Sequence, residues 1–361
     1  MSCTNILDTV TRVKTLGTSI ARLAVLLTTL LAVAAALANS ISGATHWAVE
    51  LFRYVPYLAW LVPAVLALGL SLWLGCAWRI AATLALALVV GPVMGLHCGR
   101  ADAGYDGVRF MTFNIKSYLA TYKFGGFAEI VEEIERHNPD VLVMQDAQSS
   151  GSESTDDVVV RLKRGLAGRQ VYAAGELVVA SRFPMRNCHT EDLSFGKHER
   201  QYVRCTVRAH GTDIDVVTAH FDSPRNGLNA TRHERLDGLD DWRENFERRI
   251  EQAGKLVLSI TERPRPLIVA GDLNAPESSP VVQALLQTGL RDAFSSAGTG
   301  YGFTHGHSLR PGISFLRIDH ILVSADIGVK NCFVGEPDAS DHRPVIADLW
   351  MSRGEASGPG H

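Results

Sequence analysis

The chain has two hydropathy regimes, and the change falls near residue 100. Residues 23–49, 54–78 and 80–99 contain no Asp, Glu, Lys or Arg. Crossing a hydrocarbon core of ~30 Å takes about 20 apolar residues in a helix, and each gap is long enough. The pattern predicts three membrane helices, near 19–40, 55–75 and 78–98. Trp47, Tyr54, Tyr57, Trp73 and Trp78 lie near the ends of these segments, where amphipathic rings favour the membrane–water interface. The first segment also has the outline of a signal peptide. Arg12, Lys14 and Arg22 precede it, and Ala36-Leu37-Ala38 has a cleavable small-x-small form. Three crossings from a basic N-terminus held inside, or a cleaved signal followed by two crossings, both place the remainder outside the cytoplasmic membrane.

Beyond residue 101 the period shortens and strands alternate with helices. "VRFMTFNI" (108–115) and "VLVMQ" (141–145) read as strands. Between them "FAEIVEEIERHNPD" places Phe127, Ile130, Val131 and Ile134 on one helical face and stops before Pro139. "YVRCTVRA" and "IDVVTAHF" flank "HGTD" as a hairpin, and 239–260 forms a long charged helix with one apolar stripe. "PLIVAGDLN", "RIDHILVS" and "RPVIADLW" supply three more strands. Strands joined by both hairpins and helices predict two mixed sheets packed together with helices outside. The expected organisation is a membrane region at 1–100, a catalytic-sized domain at 101–352 and a disordered tail at 353–361.

Charge narrows the function. The first 100 residues hold six of the 35 basic and two of the 38 acidic residues, which leaves 29 against 36, a net −7, beyond them. A duplex-binding domain usually carries a basic face, so nucleic acid is the less favoured partner. None of the six cysteines sits in a CxxC pair, which argues against zinc. Cys188 and Cys205 are either a disulfide, permitted outside the cytoplasm, or free buried thiols. Asn229-Ala230-Thr231 fits a glycosylation sequon.

Polar residues stand where several strands end: Asn114, Asp146, His220, and Asp272 with Asn274. Asp319 lies just inside the strand "RIDHILVS", and Asp341-His342 precedes the last one. One such residue is an ordinary turn former. Several together can converge on a hard cation, which prefers oxygen ligands. Histidines beside carboxylates can be oriented and held protonated for a phosphoryl oxygen. Asp272 and Asn274, two apart in an extended segment, should face the same side.

The stretches "MTFNI", "PDVLVMQD", "VASRFP", "TAHFDSP", "GDLNA", "RIDHILVS" and "SDHRPV" together resemble the endonuclease/exonuclease/phosphatase superfamily, over about 108–350. The resemblance implies a deoxyribonuclease-I-like α/β fold, a four-layer α-β-β-α sandwich, here preceded by the transmembrane helical region. It implies that Asn114 and Asp146 bind Mg²⁺ (or Mn²⁺) or its water shell, with Asp341 on the metal side. Asp272 matches the acid that deprotonates the attacking water, and Asn274 an amide that holds the phosphate. His342 matches a phosphate-contacting histidine oriented by Asp319, and His220 a second histidine at the phosphate or leaving group. The implied reaction is metal-assisted hydrolysis of a phosphate ester or anhydride.

Two positions depart from the family pattern. Gln145-Asp146 stands where Gln-Glu is usual, and Lys116 occupies a position that is acidic in some nucleases. Arg182, Arg225, His305 and His307 are weaker candidates near the site, with structural or solvated readings favoured for most. The anchored layout is similar to a bacterial subgroup related to teicoplanin-resistance membrane proteins, which implies a multi-pass membrane protein with its site outside and a lipid-linked phosphate as substrate, of the undecaprenyl-pyrophosphate kind. An extracytoplasmic nuclease and an inactive phosphate-binding module are the alternatives. No protein partner is implied.

Overall fold

The computed structural model describes residues 3–40, 46–104, 107–148, 154–196, 198–225, 227–229, 237–262, 266–307 and 313–351. The tail from 353 and two residues of the sequon, Ala230 and Thr231, lie outside them. The chain divides after Leu96 into two units.

In the first unit alanine makes the inside and leucine the outside. Helices α1 (Cys3–Ser40), α3 (Leu58–Ser71) and α4 (Cys76–Leu88) meet through Ala32, Ala35, Ala64, Ala67, Ala82 and Ala85. Leu23, Leu27, Leu30, Leu66 and Leu84 point outward and are exposed. Small residues let helix backbones approach closely, the packing used where the surroundings are as apolar as the side chains. Two helical stretches, Thr11–Ser40 and Cys76–Val93, are long and apolar enough to cross a membrane. A third crossing requires that α2 (Trp47–Arg53) and α3, bent by 70°, act as one span. Alone, α3 has 14 residues, about 21 Å at ~1.5 Å per residue, which is short of the ~30 Å core. The middle segment is therefore less regular than its apolar run suggested.

The second unit is a four-layer sandwich. One sheet has the order β13 (Ile327–Val334), β14 (Val345–Met351), β2 (Gly107–Asn114), β3 (Val141–Gln145), β5 (Leu177–Ser181), β4 (Gln170–Ala174), and the other β10 (Arg291–Asp292), β12 (Asp319–Val323), β9 (Leu267–Asp272), β8 (Thr212–His220), β7 (Gln201–Ala209), β6 (Met185–Asp192). The strands that matter for the site are β2, β3, β5, β7, β8, β9 and β12. Alternate residues of each sheet point inward. Val108, Phe110, Val141 and Val143 thus meet Val203, Val207, Val216, Ile268, Ala270 and Ile321 between the sheets. Met111, Phe113, Leu142 and Met144 face α6 (Gly126–His137) through Ile130, Val131 and Ile134. Val217, Val269 and Leu322 face the long helix Asp237–Thr261 through Ala253, Leu256 and Ile260.

The pairs β2–β3 and β8–β9 are parallel, so four strands finish at the same edge. A Cβ on Gly271 would stand 2.0 Å from the Ala219 carbonyl oxygen. Glycine there lets β8 and β9 lie in register with His220 opposite Asp272. Cys188 and Cys205 form a disulfide that ties the edge strand β6 (Met185–Asp192) to β7.

Candidate active site

The inward rows of the sandwich change from apolar to polar as they approach that edge. Ile268 and Ala270 are followed at the same parity by Asp272, Ile214 and Val216 by Thr218 and His220, and Phe110 by Thr112 and Asn114. Thr112, Gln145 and Thr218 form a first polar layer. The Gln145 amide donates to Thr218 Oγ1 at 2.9 Å and to Thr112 Oγ1 at 3.2 Å. These bonds satisfy a buried carboxamide that would otherwise be costly. The next layer holds Asn114, His220, Asp272 and Asp319, all buried.

Asp272 is the centre of that layer. Its Oδ2 accepts from Asn114 Nδ2 at 2.9 Å and lies 3.5 Å from His220 Nε2 and 3.7 Å from His342 Nε2. Its Oδ1 accepts the Asn274 backbone N–H at 2.9 Å. Asn274 departs from the expected geometry. The strand ends at Asp272, and Asn274 is left-handed with φ 49°, so period-two reasoning does not reach it. Its amide donates to the Phe221 carbonyl at 2.9 Å and clips the ends of β8 and β9 together.

The two histidines have opposite electrostatics. Burial opposes charge on His220, but Glu176, Asp272 and Asp146 overcome it and raise its pKa to about 9. Its Nδ1 is 3.1 Å from Glu176 Oε1. Neither ring nitrogen makes a well-aligned hydrogen bond, so the attraction is ionic. Burial alone would raise Glu176, yet His220, Arg200 and Lys116 bring it down to about 2. At His342 burial wins: the imidazole falls to about 3, and its partner Asp319 is pushed up to about 6. Near neutral pH Asp319 is ionised and accepts the His342 Nδ1 proton at 2.9 Å. The surroundings thus favour the charged imidazole at His220 and the neutral one at His342. His305 packs on the His342 ring at 4.6 Å, and burial beside His342 lowers its pKa to about 4.

Asp146 follows β3 in a left-handed turn, φ 55°, and its carboxylate is bonded by Lys116, itself left-handed at φ 43°. Burial opposes charge on Lys116, but Asp146 more than offsets it, so the ammonium is retained. Non-glycine residues with positive φ are uncommon and cluster at functional sites. Among the described residues ligand atoms converge in two groups, Asp146 with Glu176 and His220, and Asp272 with Asp319 and His342. Asp341 belongs to neither; its carboxylate lies 3.8 Å from Arg225. Arg182 bonds Asn138 and lies 3.4 Å from Asp140, a structural position. His307 bonds the Ser340 carbonyl at 2.8 Å.

The strand-end rule missed Glu176. It lies in a tight turn just before β5, and β5 runs antiparallel to β3, so its beginning, not its end, lies at this edge. Arg200 was missed for the same reason; it precedes β7 and bonds Glu176 at 2.8 Å and Asp222 at 2.8 Å.

The oxygen-rich pair Asp146 and Glu176 fits a hard divalent cation. Both carboxylates are partly open to solvent, with side chains 17% and 21% exposed, so an ion could reach them with its waters. The Lys116 ammonium on Asp146, and Arg200 with the protonated His220 on Glu176, compete with such an ion.

The model of the endonuclease/exonuclease/phosphatase family matches residues 111–342. No curated protein matches the sequence. Among solved structures, an endonuclease/exonuclease/phosphatase from Bacteroides vulgatus aligns at 22% identity over 69% of this chain and 100% of its own, with TM-score 0.53. A mannosyl-6-phosphatase from Bacteroides thetaiotaomicron aligns at 17% identity over 68% and 100%, with TM-score 0.52. The D. rerio TDP2 bound to a single-strand DNA product aligns at 13% identity over 68% and 100%, with TM-score 0.51.

Proposed function

The chain belongs to the endonuclease/exonuclease/phosphatase family, and on that premise we propose that it is a membrane-anchored, Mg²⁺- or Mn²⁺-dependent phosphoesterase whose catalytic unit lies outside the cytoplasmic membrane. The observation that carries the reading is the convergence of Asn114, Asp272, His220 and the Asp319–His342 pair at one edge of the sandwich. Family members hydrolyse phosphoester bonds, and this set provides a base, a cation and an oriented neutral imidazole within one small volume.

Each residue has a distinct task. Asp272 accepts the proton of the attacking water, with Asn114 fixing the carboxylate's rotation. His220 is held protonated by Glu176 and carries positive charge toward the phosphoryl or leaving-group oxygen. Asp319 fixes the tautomer of His342 by accepting its Nδ1 proton, which leaves Nε2 directed toward Asp272 and the reacting centre. Asp146 and Glu176 would hold the divalent ion, which when bound neutralises phosphate charge as a Lewis acid. The outward leucines of the first unit favour a substrate that is itself part of a membrane, a lipid-linked phosphate or pyrophosphate.

The test uses the full chain in detergent with Mg²⁺ or Mn²⁺. The panel holds bis(p-nitrophenyl) phosphate, a polyprenyl pyrophosphate and plasmid DNA. Turnover of the lipid substrate should exceed that of DNA. Asp272→Asn and His342→Ala should each lower turnover roughly 10²–10⁴-fold, the usual worth of a general base or acid. Efficient DNA nicking without lipid hydrolysis would replace the lipid reading with a nuclease, and wild-type turnover in either variant would remove its assigned role.

A further inference from the structure

Three aromatic side chains of the second unit are exposed among its described residues: Tyr122 at 80%, Phe124 at 102% and Phe195 at 40%. All three stand at the edge that carries the site. Tyr122 ends α5 (Ser117–Tyr122), the short helix that starts one residue after Lys116. Phe124 follows in the turn before α6, and Lys123 between them donates to the Asp338 carbonyl at 2.6 Å, three residues before Asp341. Phe195 lies at the tip of the β6–β7 hairpin. Beyond that tip, Arg200 bonds Glu176, and Tyr202 pairs with Ala219, the neighbour of His220. The aromatics thus flank the site from both sheets.

The Phe124 tip is built to project. A Cβ on Gly126 would lie 2.5 Å from the Ala120 carbonyl oxygen, and Gly125 is left-handed at φ 76°. Two glycines let α5 and α6 close tightly, which leaves the residues between them no room to fold inward. A fully exposed Phe gains nothing in water, and the adjacent exposed rings of Tyr122 and Phe124, with Phe195 across the same edge, mark an interaction surface. We propose that Tyr122, Phe124 and Phe195 form a rim that seats the catalytic edge on a lipid bilayer, so that the site meets phosphates at the membrane surface. The proposal rests on the phosphoesterase reading for its purpose, though not for its geometry.

Two observations select a bilayer over the bases of a nucleic acid, on which aromatics also stack. The same chain carries helices long and apolar enough to cross a membrane. The residues beyond 100 carry a net −7, without the excess of cations that a polyphosphate strand would draw. Tyr is also among the side chains enriched at the headgroup level of membranes.

The test places full-length protein in phosphatidylcholine/phosphatidylglycerol liposomes. In Phe124→Trp, the emission added over the parent should be quenched by at least half when the lipids carry bromine near the headgroup end of their chains. Tyr122→Ser/Phe124→Ser should lower turnover of a bilayer-held phosphate ester about fivefold or more, with turnover of bis(p-nitrophenyl) phosphate unchanged. Added emission that ignores brominated lipid overturns the proposal. So does a response to a single-stranded oligonucleotide in place of lipid, which would assign the rim to nucleic acid, and so does an equal loss on both esters. A parent that hydrolyses no ester defeats the phosphoesterase reading alone, because the quenching still decides the seating.

Discussion

Lys116 is the residue at which this chain departs most from a plain metal-dependent site. Its ammonium lies on Asp146, one of the two carboxylates proposed to receive a divalent ion, and its charge is also felt at Glu176. Two unit charges 4 Å apart interact by about 4 kcal/mol at an effective dielectric constant near 20. Moving the ammonium aside, or tolerating it, therefore costs the bound ion a sizeable part of its affinity. Lys116→Ala should tighten Mg²⁺ about tenfold or more, read by titration calorimetry without reference to turnover. Asp146→Ala should weaken it. Unchanged affinity in Lys116→Ala would mean that the ion sits away from Asp146. Aspartate in place of the usual glutamate belongs to the same problem. Asp146 is itself a left-handed residue just after β3, so the backbone turn, together with Lys116, sets where its oxygens lie.

At the scale of elements, the disulfide shows how a weak place in a sheet is reinforced. β6 is an edge strand, and its ladder with β7 breaks register between Arg186 and His189. Cys188 lies inside that break and is bonded to Cys205, whose side chain is buried between the sheets. The bond restores the tie that the irregular ladder loses. A loop of 17 residues corresponds to roughly 3 kcal/mol of stabilisation. Cys188→Ala/Cys205→Ala should lower the thermal midpoint by several degrees, and reductant should produce the same fall in the parent while leaving the variant unmoved. Equal midpoints for variant and oxidised parent would show that the ladder holds without it.

The pairing was open in the sequence, because spacing alone does not distinguish a bridge from two buried thiols. The strands themselves were legible, since inward rows such as Ile268-Ala270-Asp272 alternate regularly, and their polar ends marked the edge. Glu176 and Arg200 escaped because antiparallel strands present their beginnings there. Asn274 and Lys116 were named, but the direction of Asn274 and the pairing of Lys116 with Asp146 were not legible, because a left-handed residue breaks the period from which side-chain direction is read. The break between α2 and α3 lies at 54–57, at the start of the charge-free run 54–78, and the run alone does not show where its helix begins.

At the scale of the whole molecule, two independent features bear on the proposed orientation. The first unit turns leucines outward and alanines inward, which suits a lipid surround and would be costly in water. The second unit carries a disulfide, and disulfides persist in oxidising compartments and are rare in the reducing cytoplasm. One feature asks for a membrane and the other for its far side. A soluble cytoplasmic enzyme would satisfy neither. A membrane enzyme facing inward would satisfy only the first, and its Cys188 and Cys205 would be kept as thiols. A reporter enzyme that folds only outside the cytoplasm, fused after Gly107, should therefore be active, and a cytoplasm-dependent reporter at the same point silent. In intact cells of the host, Cys188 and Cys205 should resist alkylation until a reductant is added. The reverse reporter pattern, with both thiols freely alkylated, would place the site on the cytoplasmic face and restrict its substrates to those found there.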